Sequence, residues 1–169
     1  KISDKLINGP ISKENFLSNN FLGITEYLAF KTRTKNFAMI IYNKKLSVCP
    51  ITTHLPLKYV AKKLNKIEII NKVKLINLFW KKFFNKKLKI GITGLNPHCE
   101  SIDYFKEDKK IIYSAVNTLR KLNINIKGPF AADTIFLKNN RKNFDLIIGM
   151  YHDQVLTPMK TLFEYDAIN

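Results

Sequence analysis

An α/β fold with a largely parallel sheet is predicted by three features of the chain. Val48 to Thr53, Lys89 to Thr93 and Asp145 to Met150 are short runs rich in branched apolar residues. They are too short for helices and the right length for buried strands. Longer stretches with apolar residues at helical spacing separate them, as parallel pairing requires. Each run also leads into a polar loop that carries a histidine: His54 in ITTHLPL, His98 in GLNPH and His152 in MYHDQ. The chain has three histidines, and all of them fall in these loops. Ligands of open α/β sheets gather beyond the carboxyl ends of the strands, so this edge is the candidate site.

Taken in order, Ile2 to Asn8 is expected to be extended, and Gly9-Pro10 breaks it. Ser12 caps a helix to about Ser18, with Glu14 in the first turn, where the macrodipole favours an acid. Lys13 and the open N–H groups of that turn form a candidate anion site. Gly23 closes the next loop, and Thr25 is expected to cap a short helix to Lys31. Phe37 to Tyr42 and Leu46 to Cys49 flank Asn43-Lys44-Lys45, the pattern of a β-hairpin. Pro56 opens a helix that reaches Leu64.

Lys66 to Lys87 contains neither Gly nor Pro. Its Ile69, Ile70, Val73, Ile76, Leu78, Phe79, Trp80 and Phe83 recur at near-helical spacing with lysines between them. A long amphipathic helix against the sheet follows, with Trp80 in the core. Glu107 to Leu122 is a second such helix, its inner face Ile111, Ile112, Ala115, Val116 and Leu119. Ile124 to Ile126 is a brief strand, Gly128-Pro129 a turn, and Phe130 to Phe136 places Asp133 in a loop or at a helix start.

The 169 residues suffice for one sizeable core or two small lobes, and no internal boundary stands out. The chain opens on Lys1 and stops at Asn169 without a turn signal, so it reads as part of a longer protein. No apolar run has spanning length and no signal pattern opens the chain, which points to a soluble protein with no membrane partner. Cys49 and Cys99 lack metal-type spacing and are expected to be reduced, buried thiols in a cytoplasmic protein. The formal net charge is +16. Its lysines are spread among Asn and Ile along the whole chain, as codon bias would leave them, so nucleic acid is not the expected partner. A phosphorylated small substrate drawn by the positive field is.

Three imidazoles on one sheet edge suit zinc or another first-row divalent ion with a position open for substrate. Asp153, Asn96 and Thr53 are placed to orient the rings or touch the substrate. Such an ion can polarise a hydroxyl or carbonyl oxygen, or acidify a water, which leaves dehydrogenase and hydrolase both open.

NGPISK, G-x-TEYLA, TTHLPL, GLNPH, GPFAADTIF and MYHDQVLTPMK, in that order, closely resemble the 4-hydroxythreonine-4-phosphate dehydrogenase family of vitamin B6 synthesis. The resemblance runs from about Leu6 to Asn169. It implies an α/β/α fold like that of the isocitrate and isopropylmalate dehydrogenases, incomplete here at both ends and spanning pieces of two lobes. It further implies a homodimer with a divalent metal (zinc, magnesium or cobalt) at its interface, and NAD or NADP as oxidant. By motif, the metal ligands fall on His54, His98 and His152, and substrate contacts on Thr25, Lys160 and Asn169. Asp133 and Asp153 are candidates for proton transfer or for supporting the ligands from behind, and Lys160 for holding phosphate or carboxylate. The family's nucleotide-binding stretch falls beyond Asn169, so no cofactor-binding residue is assigned.

Two positions depart from the family pattern. Ile24 stands where the family has a histidine before Thr25. CESIDYFKED replaces a glycine-rich stretch, and Ile102, Tyr104 and Phe105 restrict backbone that glycine leaves free. The expected activity is oxidation of 4-phosphohydroxy-L-threonine. A paralogue acting on another phosphorylated hydroxy acid, a homologue that binds without turnover, and a basic nucleic-acid-binding module are the alternatives.

Overall fold

The computed structural model describes residues 5–9, 11, 12, 17, 20–100 and 106–169. The chain divides into two compact units, Lys1–Lys35 and Asn36–Asn169.

The first unit holds helix α1 (Ile24–Lys31). Its N-cap is Gly23, extended at φ −165°, and not Thr25, which sits inside the first turn. At the other end the Thr32 hydroxyl donates to the Leu28 carbonyl at 2.8 Å. Phe21 meets Tyr27 edge-on, with ring centroids 5.5 Å apart. Residues 5–9 are irregular, not a strand. Residues 2–4, Lys13, Glu14 and most of the helix expected from Ser12 to Ser18 lie outside the described residues.

The second unit carries the sheet. Between β1 (Ser47–Pro50) and β2 (Ile90–Thr93) run a 3-10 turn (Leu57–Tyr59), α2 (Val60–Lys63) and α3 (Lys66–Phe84). A π-helical turn (Glu107–Tyr113) continues into α4 (Ser114–Lys121) before β3 (Ile126–Phe130). Then come α5 (Ala132–Ile135), α6 (Lys138–Arg141), β4 (Leu146–Gly149) and α7 (His152–Phe163). The strands lie in the order β1-β4-β2-β3, and every pair is parallel. That is the fold class the alternating runs predict.

β1, β2 and β4 are buried at every position, which is why they read as unbroken apolar runs. Alternate residues of β4 serve opposite layers. Leu146 and Ile148 pack with Val73, Ile76 and Trp80 of α3 and Val116 and Leu119 of α4. Ile147 joins Ile135 of α5 and Val155 and Met159 of α7 on the other face. Burying each such side chain contributes roughly 1.5–3 kcal/mol.

Asn65 caps α3 by accepting the Glu68 N–H at 2.9 Å, and Asn85 ends it in the left-handed region at φ 49°. One stripe, Ile69, Val73, Ile76 and Trp80, faces the sheet. Spacing alone groups Leu78, Phe79 and Phe83 with it, but they are exposed. The apolar residues cover more of the helix circumference than one sheet face can accept.

Two local expectations are corrected. The hairpin around Asn43-Lys44-Lys45 shrinks to a single antiparallel bridge between Ile41 and Val48. Asn43 does form the turn, its Oδ1 accepting the Lys45 N–H at 2.8 Å. β1 nevertheless takes β4 as its ladder partner, and Tyr42 bridges to Ile168. The strand expected at Ile124 to Ile126 instead starts at Ile126 and runs through Gly128-Pro129 to Phe130. Proline is tolerated there because β3 is an edge strand.

Candidate metal and substrate site

Parallel pairing puts the carboxyl ends of all four strands on one edge. The loop after β1 is tied to the end of β4. The Ile51 N–H donates to the Gly149 carbonyl at 2.8 Å, and the Thr52 hydroxyl to the Met150 carbonyl at 2.8 Å. The Lys72 ammonium donates to the Ile51 carbonyl from α3. On the β4 side, α7 begins at His152 almost directly after the strand. Gly149 makes that tight approach possible: a Cβ there would collide with Val155 Cγ1 and come within 3.0 Å of Gln154 Oε1.

The two loops therefore meet. The rings of His54 and His152 have centroids 5.3 Å apart and are inclined by 40°. His152 Nδ1 lies 2.7 Å from Asp153 Oδ1, so the Nδ1–H donates to the carboxylate and Nε2 is the ring nitrogen left to face a ligand. Both rings are partly exposed.

The third loop is built differently. Asp108, almost fully buried, accepts the N–H groups of Leu95 at 2.7 Å and Asn96 at 3.1 Å. It also accepts the Asn96 side-chain amide at 2.8 Å. His98 follows in the left-handed region at φ 59° and is exposed. Among the described residues, no group of three or more His, Cys, Asp or Glu is arranged to hold an ion. His54 and His152 form a pair that His98 of the same chain does not complete.

Asp133 and Asp153 line one cavity of about 650 Å³, with Phe136, Tyr151, Gln154 and Thr157 among its walls. Lys160 is exposed, its ammonium 4.8 Å from the centre of the Tyr165 ring. Thr25 belongs to α1 of the first unit, Asn169 is exposed, and Lys13 lies outside the described residues. Cys49 is buried and its thiol is pushed up to about 12 by that burial, against a lesser opposing pull from Lys72. Cys99 is only partly buried, short of the expectation, and burial raises its thiol too.

The family model for pyridoxal phosphate biosynthetic protein PdxA matches residues 1–169. The chain belongs to the PdxA family.

Within that family, it is 45% identical to the 4-hydroxythreonine-4-phosphate dehydrogenase of Sulfurihydrogenibium sp., over 100% of this chain and 53% of that protein. It is 30% identical to the D-threonate 4-phosphate dehydrogenase of Salmonella typhimurium, over 97% of this chain and 51% of that protein. The crystal structure of 4-hydroxythreonine-4-phosphate dehydrogenase from Klebsiella pneumoniae superposes with a TM-score of 0.79 at 32% identity. That match covers 93% of this chain and 49% of the other. The chain thus spans about half the length of the relatives it matches. No helix among the described residues is long and apolar enough to cross a membrane.

Of the departures from the PdxA-family pattern, Ile24 is the first residue of α1, while Ile102, Tyr104 and Phe105 lie outside the described residues. Two residues shape the edge in ways the sequence does not announce: Gln154 reads only as one of the polar side chains after the strand, and Asp108 as a plain helix position. Gln154 sits buried between the ends of β2 and β4, and Asp108 underlies the His98 loop. Both look like ordinary polar positions in a helix's first turns, and no local signal marks them as buried.

Proposed function

We propose that the protein is a metal-dependent NAD(P) oxidoreductase of pyridoxal phosphate synthesis. It oxidises the secondary hydroxyl of 4-phosphohydroxy-L-threonine to a 3-oxo acid that then loses carbon dioxide. The observation that supports this most is the approach of His54 and His152, with Asp153 behind one ring. Two imidazoles, one of them backed by a carboxylate, suit a first-row divalent ion, zinc foremost and cobalt next; magnesium, the third ion the family resemblance implies, prefers oxygen donors and fits this pair less well. His98 is the third donor in this reading and comes from a second copy, so the working unit is a homodimer. The ion supplies positive charge beside the hydroxyl that is oxidised.

The chain's own residues do the rest. Asp153 fixes the tautomer of His152. Either Asp133 or Asp153, which line one cavity, would take the hydroxyl proton, and a bound nicotinamide would supply the hydride acceptor. Lys160 neutralises phosphate or carboxylate, and Thr25, Asn169 and Lys13 bind substrate. Two free cysteines suit a cytoplasmic setting.

The test is reduction of NAD and NADP by the full-length protein with 4-phosphohydroxy-L-threonine, before and after chelation. Turnover that chelator removes and zinc restores is expected; no reduction of either nucleotide overturns the reading. D-threonate 4-phosphate is the second substrate to try. A relative named for it aligns over 97% of this chain, and Ile24 changes the start of α1. A higher kcat/KM on that compound would move the assignment to it.

A further inference from the structure

The opposite end of the sheet carries a second cavity, of about 400 Å³. It lies where the turn at Asn43, the loop leaving α3 and the start of β4 come together. Lys44, Lys45, Lys86, Lys87 and Lys89 line it, facing one carboxylate, Asp145. That carboxylate is already engaged, since Asp145 Oδ2 accepts the Lys89 N–H at 2.8 Å. Among the described residues none of the five ammonium groups is in an ion pair. An aromatic wall completes the cavity: Tyr42 and Phe84 stack at 5.6 Å and 15°, and Phe84 meets Trp80 at 4.6 Å.

Lysine is common throughout this chain, so its presence alone decides nothing. The carbonyl end of α3 favours cations, which accounts for Lys81 and Lys82 in its last turn. Lys44, Lys45 and Lys89 come from other segments, and their convergence is what needs a cause. The turn bearing Lys44 and Lys45 is tied down: Asn43 accepts the Lys45 N–H and its own amide donates to Asp166. All five lysines are exposed, so water screens their mutual repulsion, and an anion seated among them would gain from several at once.

We propose that this cavity binds a small polyphosphate. A nucleoside triphosphate and inorganic triphosphate are the two sources of that chemistry. The phosphates take the ammonium groups, and a base, where there is one, lies against the aromatic wall. The volume falls in the usual range for small-ligand sites. Strands of four residues separate this end from His54 and His152 by at least about 13 Å, so the site is distinct from the proposed redox centre.

The experiment is calorimetric titration of the full-length protein with ATP and with inorganic triphosphate, with Trp80 fluorescence as a reporter inside the cavity. Saturable binding of one or both is expected. The combined substitution Lys44→Gln, Lys87→Gln, Lys89→Gln should weaken it at least about tenfold. A control with Lys62→Gln, Lys63→Gln and Lys121→Gln removes the same charge from exposed positions elsewhere and should leave affinity nearly unchanged. Tighter binding of ATP identifies the nucleotide as the source, and equal binding the free polyphosphate. Absence of saturable binding overturns the proposal, as does equal weakening by both triple variants. Random-sequence DNA binding more tightly than either compound, with a steep salt slope, also overturns it in favour of a nucleic-acid surface.

Discussion

The amide oxygen of Gln154 accepts the Thr93 hydroxyl at 2.8 Å, joining the first turn of α7 to the end of β2. The same oxygen takes the Met150 N–H at 2.6 Å, and the amide nitrogen donates to the Gly94 carbonyl at 2.8 Å. One buried side chain thus fastens the exits of β2 and β4, where the loops bearing His98 and His152 begin. Gln154→Leu leaves three buried polar groups without partners. A loss on the order of 3 kcal/mol is expected, read from urea denaturation. A midpoint equal to that of the parent chain would show that the clamp adds nothing.

Zinc affinity should depend on His54 and His152 together. Alanine at either position is expected to remove calorimetrically detectable binding. Asp153→Asn keeps an acceptor but loses the charge behind His152, and should weaken zinc roughly 10- to 100-fold. If the third donor comes from a second copy, a mixture of His98→Ala and His54→Ala chains regains part of the turnover that each lacks alone. Failure of the mixture to exceed either variant would place the third ligand elsewhere.

The His98 loop rests on Asp108, so its geometry can be disturbed from below. A Cβ on Gly94 would strike Asp108 Oδ1 and lie 2.7 Å from Cys99 Sγ. Gly94→Ala should displace that carboxylate from the N–H groups of Leu95 and Asn96. The cost expected is about 2 kcal/mol, with a fall in turnover larger than the fall in folded fraction. Asp108→Asn, which loses the charge shared among three donors, should act in the same direction. Denaturation curves and single-turnover rates measured on the same preparations separate the two effects.

Cys49 gives a pH prediction whose direction follows from burial. Its thiol is raised from 9.0 to about 12 in the folded chain, so the folded state holds the proton that the unfolded state releases first. The stabilisation is therefore complete below pH 9 and declines between pH 9 and about 12. Cys49→Ala should show a shallower loss of stability across that window than the parent. In the native protein, iodoacetamide should label the partly exposed Cys99 well before Cys49.

Much of the architecture is legible from local pattern. Residues 90–93 and 146–149 are recognisable because strands buried on both faces need unbroken branched apolar residues. Helix α3 is recognisable because nothing from Lys66 to Phe84 interrupts it and Asn65 offers a cap. Trp80 lies in the core as its spacing predicts, yet Phe79 and Phe83 beside it do not. Periodicity marks a helix face only as sharply as the sequence alternates, and here it barely does. Gly128-Pro129 misleads for another reason: an edge strand tolerates what an inner strand would not.

The amino-acid sequence by itself determined an α/β chain with a parallel sheet, and it placed three imidazoles beyond strand ends. Only the tertiary structure decided which of them meet. β4 docks beside β1, Gly149 lets α7 start close to the strand, and His54 and His152 come within 5.3 Å between ring centroids. The His98 loop is held instead by a buried carboxylate whose burial no local pattern announces. Strand order and loop meetings arise from packing between segments far apart in the chain, and that packing depends on shapes that residue spacing does not carry.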